Sequence, residues 1–145
     1  MRVLLVGLPG SGVSTVGGLL SQRLGWPFLD DSTLLERTGS ASRALTVLLG
    51  MPGELVAAVP DEAVDDPVER ARIGAGDSHV VWLRCSLPVL ARRVGTRLGD
   101  DPAAVLRRLN AERLPLFEDL ATQVVDTDAN PAGAAANLVI EAVRG

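Results

Sequence analysis

The chain contains no lysine: all 14 of its basic residues are arginine. A site that needs a side-chain ammonium therefore has none to draw on anywhere in the sequence. Cysteine and histidine each occur once, as Cys85 and His79. A single cysteine forms no internal disulfide, and the two residues together are too few for a zinc site. Aromatic residues make up 3% of the chain, in no cluster that points to a partner. No apolar run approaches the length of a membrane span, about 20 residues, and no leader pattern precedes the first apolar segment. The net charge of −4 argues against nucleic-acid and acidic-membrane partners. What is present is a chain of 145 residues, 47% hydrophobic and 22% charged, the profile of one globular domain with a sizeable core. The expectation is a cytoplasmic monomer that binds neither nucleic acid nor membrane.

Apolar runs and helix signals alternate along the sequence. Arg2–Val6, Trp26–Leu29, Leu55–Val59, His79–Arg84 and Gln123–Val125 read as strands; a continuous apolar run suits a strand buried on both faces of a parallel sheet. Between them fall helical patterns: Val13–Leu24 stopped by Gly25, Thr33–Thr38 closed by Gly39, and a helix capped by Ser40 or Ser42 that runs to Leu49. Asp66-Pro67-Val68-Glu69 opens another, with aspartate as cap and proline at the first helical position. Further helices are expected from Ser86 to about Arg93, from Pro102 to about Arg113, and, capped by Asn130-Pro131, to Val143. Leu114-Pro115-Leu116-Phe117 reads as a break, with helix resuming at Glu118. Asp126 and Asp128 read as caps for the last helix, and Cys85 as a buried, inert thiol without a basic partner. Strand and helix repeated about five times predict a single three-layer α/β domain, a five-stranded parallel sheet with helices on both faces.

The stretch that carries chemistry is Gly7-Leu8-Pro9-Gly10-Ser11-Gly12-Val13-Ser14-Thr15. A glycine-rich turn between a buried strand and a helix points backbone N–H groups inward and adds the partial positive charge of the helix start, which together cradle phosphate. The spacing matches the phosphate-loop pattern G-x-x-x-x-G-K-[ST] at every fixed position but one. Val13 stands where lysine belongs. Ser14 falls where a hydroxyl ligates Mg²⁺ in such loops. The other reading of the stretch is a tight strand-to-helix turn that binds nothing.

Several segments taken together resemble the shikimate kinase family. They are Gly7–Gly17, Phe28-Leu29-Asp30, Leu35-Glu36-Arg37-Thr38-Gly39, Val80–Leu83, Arg92-Arg93, Arg113–Phe117, Ala121-Thr122 and Val125-Asp126-Thr127. The resemblance covers nearly the whole chain and implies the fold of P-loop nucleoside monophosphate kinases. It implies transfer of the γ-phosphoryl of ATP, with Mg²⁺, to a hydroxyl of a small molecule. By that resemblance Gly7 to Thr15 would hold the ATP phosphates, and Asp30 would sit near Mg²⁺ and the reacting hydroxyl. Arg93 would pack on adenine, Arg97 would reach the transferring phosphate, and Arg113 would grip the substrate carboxylate.

The departures from that family fall on catalysis and substrate binding. Besides Val13, Ser32 replaces an aspartate that faces substrate hydroxyls, and Pro60-Asp61-Glu62 replaces a glycine run beneath the substrate. The substrate-binding region, about residues 39–54, is short, and so is the lid, about residues 95–102. Asp61-Glu62 at a strand end has two readings, a Mg²⁺ or water site facing the phosphate loop, or a solvated strand end or cap. Arg92, Arg93, Arg107 and Arg108 read as a solvated helix face or as a ligand clamp. Three functions follow as expectations. The first is a divergent member that binds ATP or ADP but is impaired in phosphoryl transfer. The second is an active kinase on shikimate or another hydroxylated metabolite, and the third a non-catalytic interaction domain.

Overall fold

The computed structural model describes all 145 residues. Five strands, β1 (Arg2–Val6), β2 (Phe28–Leu29), β3 (Leu55–Ala58), β4 (His79–Arg84) and β5 (Gln123–Asp126), form one sheet in the order β2-β3-β1-β4-β5. Every neighbouring pair is parallel, with Leu4 opposite Ala57 on one side and opposite Val80 on the other. A parallel sheet needs a crossover between successive strands and so is covered on both faces. The central strands show why their sequence is apolar without alternation: Val3 to Val6 and Leu55 to Ala58 are all buried.

Alternate residues of each strand feed two separate cores. Val3, Leu5, Val56, Val81, Leu83 and Val125 face α1 (Val13–Leu24) and α8 (Ala132–Arg144), where they meet Val16, Leu20, Ala136 and Val139. Leu4, Val6, Ala57, Val80 and Trp82 face the opposite layer. That layer contains α3 (Ala41–Gly50), α4 (Asp61–Asp65), α5 (Pro67–Ala75), α6 (Leu87–Val94) and α7 (Pro102–Leu120), which contribute Leu45, Leu48, Ile73, Leu90 and Phe117. The remaining helix, α2 (Asp31–Thr38), follows β2. This is the three-layer α/β architecture expected from the alternation of strand and helix signals. Gly17 explains one close contact within it: a Cβ there would run into the Phe28 ring.

Local chemistry sets the helix starts. Asp66 accepts from the backbone N–H groups of Val68 and Glu69 at 2.8 and 3.4 Å, with Pro67 at the first helical position. Asp101 does the same for Ala104 at 3.1 Å, ahead of Pro102. Ser40, not Ser42, caps α3 by accepting from Arg43 N–H. Each such cap contributes roughly 1 kcal/mol.

The structure corrects four expectations. Helix α7 runs unbroken through Pro115. Ala111 and Pro115 both face solvent, so the carbonyl left without its N–H donor is open to water, while buried Phe117 anchors the following turn. Asp61-Glu62 is not a strand end but the first turn of α4, where two carboxylates suit the positive end of a helix. Asp128 does not cap the last helix; its Oδ1 accepts from Ser86 N–H at 3.1 Å, at the start of α6. Nor does Asn130 cap it, since its amide donates to the Asp126 carbonyl at 2.8 Å and Pro131 stands at the cap position.

Phe117 is 1% exposed and its ring centroid lies 5.8 Å from that of Trp82. Phe117→Ala is expected to lower unfolding free energy by about 3–5 kcal/mol, the usual cost of emptying an aromatic site, and urea denaturation followed by circular dichroism measures it.

Candidate functional site

Strand β1 lies between β3 and β4, which leave it on opposite sides, so the crevice at its carboxyl end falls at the switch point of the sheet. The chain leaves β1 into the glycine-rich loop, which enters α1. Gly10 and Gly12 hold φ values of 88° and 95°, left-handed conformations that other residues adopt at a cost. The first bond of α1 runs from Val16 N–H to the Gly12 carbonyl. The amides of Val13, Ser14 and Thr15 therefore lack helical acceptors. The Ser11 hydroxyl, 2% exposed, has no hydrogen-bond partner at all. Free amides at a helix start, turned by two left-handed glycines beside an orphaned buried hydroxyl, fit a phosphate group.

This loop forms one wall of a cleft of about 590 Å³. Gly7 through Thr15 all line it. Val13, at the position of the missing lysine, lines it too, while its side chain packs on the apolar layer of α1 and α8. The positive charge comes from elsewhere. Arg93 on α6 lines the cleft and donates to the Gly10 carbonyl at 3.2 Å. Arg97 also lines it, with its guanidinium turned to the carbonyls of Val94 and Arg93 at 3.3 and 3.4 Å. Arg93 also reaches the Cys85 sulfur at 3.5 Å, so the thiol does have a basic neighbour. Burial, and after it the bond donated to Asp128, nevertheless push the Cys85 thiol above its ordinary range.

Three carboxylates, Asp30, Asp31 and Asp61, stand at or beside the cleft. Ser14 donates to Asp30 Oδ2 at 3.3 Å, and Asp30 caps α2. A hydroxyl and a carboxylate so placed could hold Mg²⁺, an ion that keeps several waters and phosphate oxygens and needs few protein ligands. Asp30 is held below the usual carboxylate range, first by its hydrogen bond with Asp31, then by Ser32 N–H and Ser14 against the effect of burial. Asp31 lines the cleft and is pushed up to about 6 by burial, the bond with Asp30, and the charges of Asp30 and Asp61. Asp61 lines it as well and is also pushed up to about 6, chiefly by burial, against the pull of Arg113.

The residues singled out in the sequence thus divide. Gly7–Thr15, Arg93, Arg97 and Asp61 share the cleft, and Asp30 meets it through Ser14. Ser32 does not line it; its N–H and hydroxyl serve the carboxylates at the start of α2. Arg113 lies behind the wall, paired with Asp61 at 3.2 Å and with Asp65 at 3.0 Å. Asp31, Thr127 and Asn130 line the cleft and were not singled out. Adjacency to Asp30 is the one signal that could have marked Asp31; Thr127 falls in the Val125-Asp126-Thr127 segment and Asn130 at the start of the last helix, but only the fold brings them to the cleft.

Fold and site together define the class: a P-loop domain of the nucleoside monophosphate kinase type. Known proteins narrow this further. A shikimate kinase of Halorhodospira halophila is 33% identical over an alignment of 167 positions, gaps included, covering 99% of this chain and 94% of that protein. A shikimate kinase of Pseudoalteromonas atlantica is 32% identical over 166, covering 99% and 96%. Among solved structures, shikimate kinase from Acinetobacter baumannii in complex with shikimate superposes with a TM-score of 0.84 at 23% identity, covering 98% of this chain and 92% of that one. Deoxyadenosine kinase from M. mycoides with bound dATP superposes with a TM-score of 0.70 at 13% identity, covering both chains fully. No protein-family model matches the sequence. The chain belongs to the shikimate kinase family.

The raised carboxyls give a stability signature. The folded protein holds the Asp31 and Asp61 protons to about pH 6, whereas the unfolded chain releases them near 3.9. The folded state binds more protons in between, so this contribution to stability is complete below about pH 4 and is lost as pH rises through about 6. Thermal melts of EDTA-treated protein are expected to show a shallower fall between pH 4 and 6.5 for Asp31→Asn than for the unsubstituted chain.

Proposed function

We propose that this chain is a divergent nucleotide-binding member of the shikimate kinase family whose ATP-dependent phosphoryl transfer to shikimate is impaired. The observation that supports it best is the phosphate loop: two left-handed glycines, unpartnered amides and an orphaned buried hydroxyl, with valine in place of lysine. The amides of Val13 to Thr15 would hold phosphate oxygens, and Ser14 with Asp30 would hold Mg²⁺. The bound nucleotide would supply the phosphoryl group. Nucleotide binding survives the loss of lysine because backbone donors and the metal carry much of it. Losing one charge-assisted contact costs roughly 1.5–3 kcal/mol. Losing a preorganised donor to the transition state costs on the order of 10²–10³ in rate.

A second reading, an active kinase on another hydroxylated metabolite, draws on one observation: Arg93 and Arg97 line the cleft beside the loop. A guanidinium turned onto the transferring phosphoryl would replace the ammonium. ATP consumption with any member of a metabolite panel would select this reading.

Titration with ADP and Mg²⁺ tests the first reading. Val13→Lys is expected to tighten ADP binding by about tenfold or more, the equivalent of about 1.4 kcal/mol. Rapid ATP-dependent phosphorylation of shikimate by the unsubstituted chain would overturn the proposal of impairment. Absence of any ADP-induced thermal shift would overturn the proposal of nucleotide binding.

A further inference from the structure

The phosphate loop has a cation bonded to its backbone, and the bond falls on a single peptide unit. Leu8-Pro9-Gly10-Ser11 closes as a turn, with Ser11 N–H donating to the Leu8 carbonyl at 3.0 Å. Proline in its second position and glycine at a φ of 88° in its third match the demands of a type II turn. The Gly10 carbonyl takes no part in that turn and accepts from no backbone N–H. Its partner is Arg93 Nη1, at 3.2 Å. The peptide joining Gly10 to Ser11 is therefore held at both ends, its carbonyl by Arg93 and its N–H by Leu8.

Helix α6 brings that guanidinium to the loop. A Cβ on Gly10 would stand 3.0 Å from Val94 Cγ1 and 3.3 Å from the Leu90 carbonyl oxygen, so a side chain there would press on the helix. Leu90 and Val94, four residues apart, share the buried face of α6, while Arg93 lies exposed beside the loop. The same Nη1 reaches the Cys85 sulfur at 3.5 Å. That thiol donates to Asp128 Oδ1 at 3.0 Å, and the charge of Asp128 interacts with that of Arg93. Arg93 thus has a seat made of a loop carbonyl, a thiol and a nearby carboxylate. Arg97, the other arginine in the cleft, makes its bonds to the carbonyls of Arg93 and Val94 instead.

The held peptide leads into Ser11, whose buried hydroxyl is unpartnered, and then into Gly12 at the start of α1. With glycine on one side of it, little in the chain itself opposes rotation of the unit. Rotation would exchange the places of its N–H and its carbonyl beside the cradle. A carbonyl dipole opposes an anion where an N–H favours it.

We propose that Arg93 is a positioning residue for the phosphate loop: in a chain with no lysine it holds the Gly10–Ser11 peptide in its anion-accepting orientation before a ligand arrives, rather than serving to stack on a nucleotide base. The proposal rests on the reading of the loop as a phosphate cradle and adds what keeps the cradle in shape.

Amide exchange at Ser11, followed by NMR on the ligand-free chain, tests the hold directly. R93A is expected to speed exchange of the Ser11 N–H about tenfold, a ratio equivalent to about 1.4 kcal/mol. R93K, which can still donate to the Gly10 carbonyl, is expected to restore most of the protection. Arg93 is exposed, so both variants are expected to fold, and circular dichroism checks it. Calorimetric binding of inorganic tripolyphosphate with Mg²⁺ is expected to weaken about tenfold in R93A and to recover in R93K. Adenosine, which has a base but no phosphate, is expected to bind R93A as it binds the unsubstituted chain. Unchanged Ser11 exchange in R93A overturns the proposal even where tripolyphosphate binding falls, because the arginine then acts by its charge alone. A loss in R93A confined to adenosine overturns it too, being the result expected of a group that stacks on the base. Failure of the unsubstituted chain to bind tripolyphosphate would overturn the phosphate cradle instead. The exchange measurement, made without ligand, would still decide whether Arg93 holds the loop.

Discussion

The constraint on which the site depends is that the first amides of α1 have no partner within the protein. Strand β1 is buried on both faces and paired on both edges, so its position and direction are set by the whole sheet. It delivers the chain to a loop whose left-handed glycines at 10 and 12 turn those amides to the crevice. The cost of leaving donors unpaired at a helix start is met in the folded chain only by solvent or by an anion. The same turn buries the Ser11 hydroxyl without a partner. Unpaired amides occur at any helix start; a buried hydroxyl without a partner does not, and it is the feature that singles this loop out.

The absence of lysine changes how charge is supplied to that loop. A flexible ammonium can reach a phosphate as a point charge, while guanidinium is planar and brings donors in a fixed fork. The arginines near the loop come from α6 and the turn that follows it, and are held by carbonyls: Arg93 by Gly10 and Arg97 by Val94. Their charge is thus near the phosphate cradle, but each would have to exchange a bond within the protein for one to a ligand. This is the physical basis of the proposal that binding persists while transfer slows. Binding draws on the summed field of the loop and the arginines, whereas the transition state draws on donors already aimed at it.

Much of this was legible in the sequence, for reasons that differ by element. The two-sided burial of β1 and β3 shows directly as unbroken apolar runs, and the Asp66-Pro67 start of α5 is a local signal that the fold had no reason to override. Helix α7 was read as broken because Pro115 is a local signal too, yet solvent exposure at Ala111 and burial of Phe117 outweigh it. The phosphate loop was legible because its whole chemistry lies in consecutive residues. The pairing of Arg113 was not, since its partners are 48 and 52 residues away on a helix the sequence did not announce. The spacing of Asp61 and Asp65 gives no sign of a shared partner until α4 is known to be helical.

That hidden pairing bears on a cleft lined by groups of both signs. Free amides and two guanidinium groups share it with the carboxyls of Asp31 and Asp61, and Arg113 is paired with Asp61 and Asp65. Burial raises the cost of charge on Asp31 and Asp61; the charge of Asp61 adds to it at Asp31, and those of Glu62 and Asp65 add to it at Asp61. A group that brings positive charge or donors to these carboxyls relieves the cost, and a group that brings negative charge increases it. The fold therefore sets the free amides of the loop and the carboxyls of Asp31 and Asp61 along one cleft, while Arg113 ties α4 to α7 through Asp61 and Asp65.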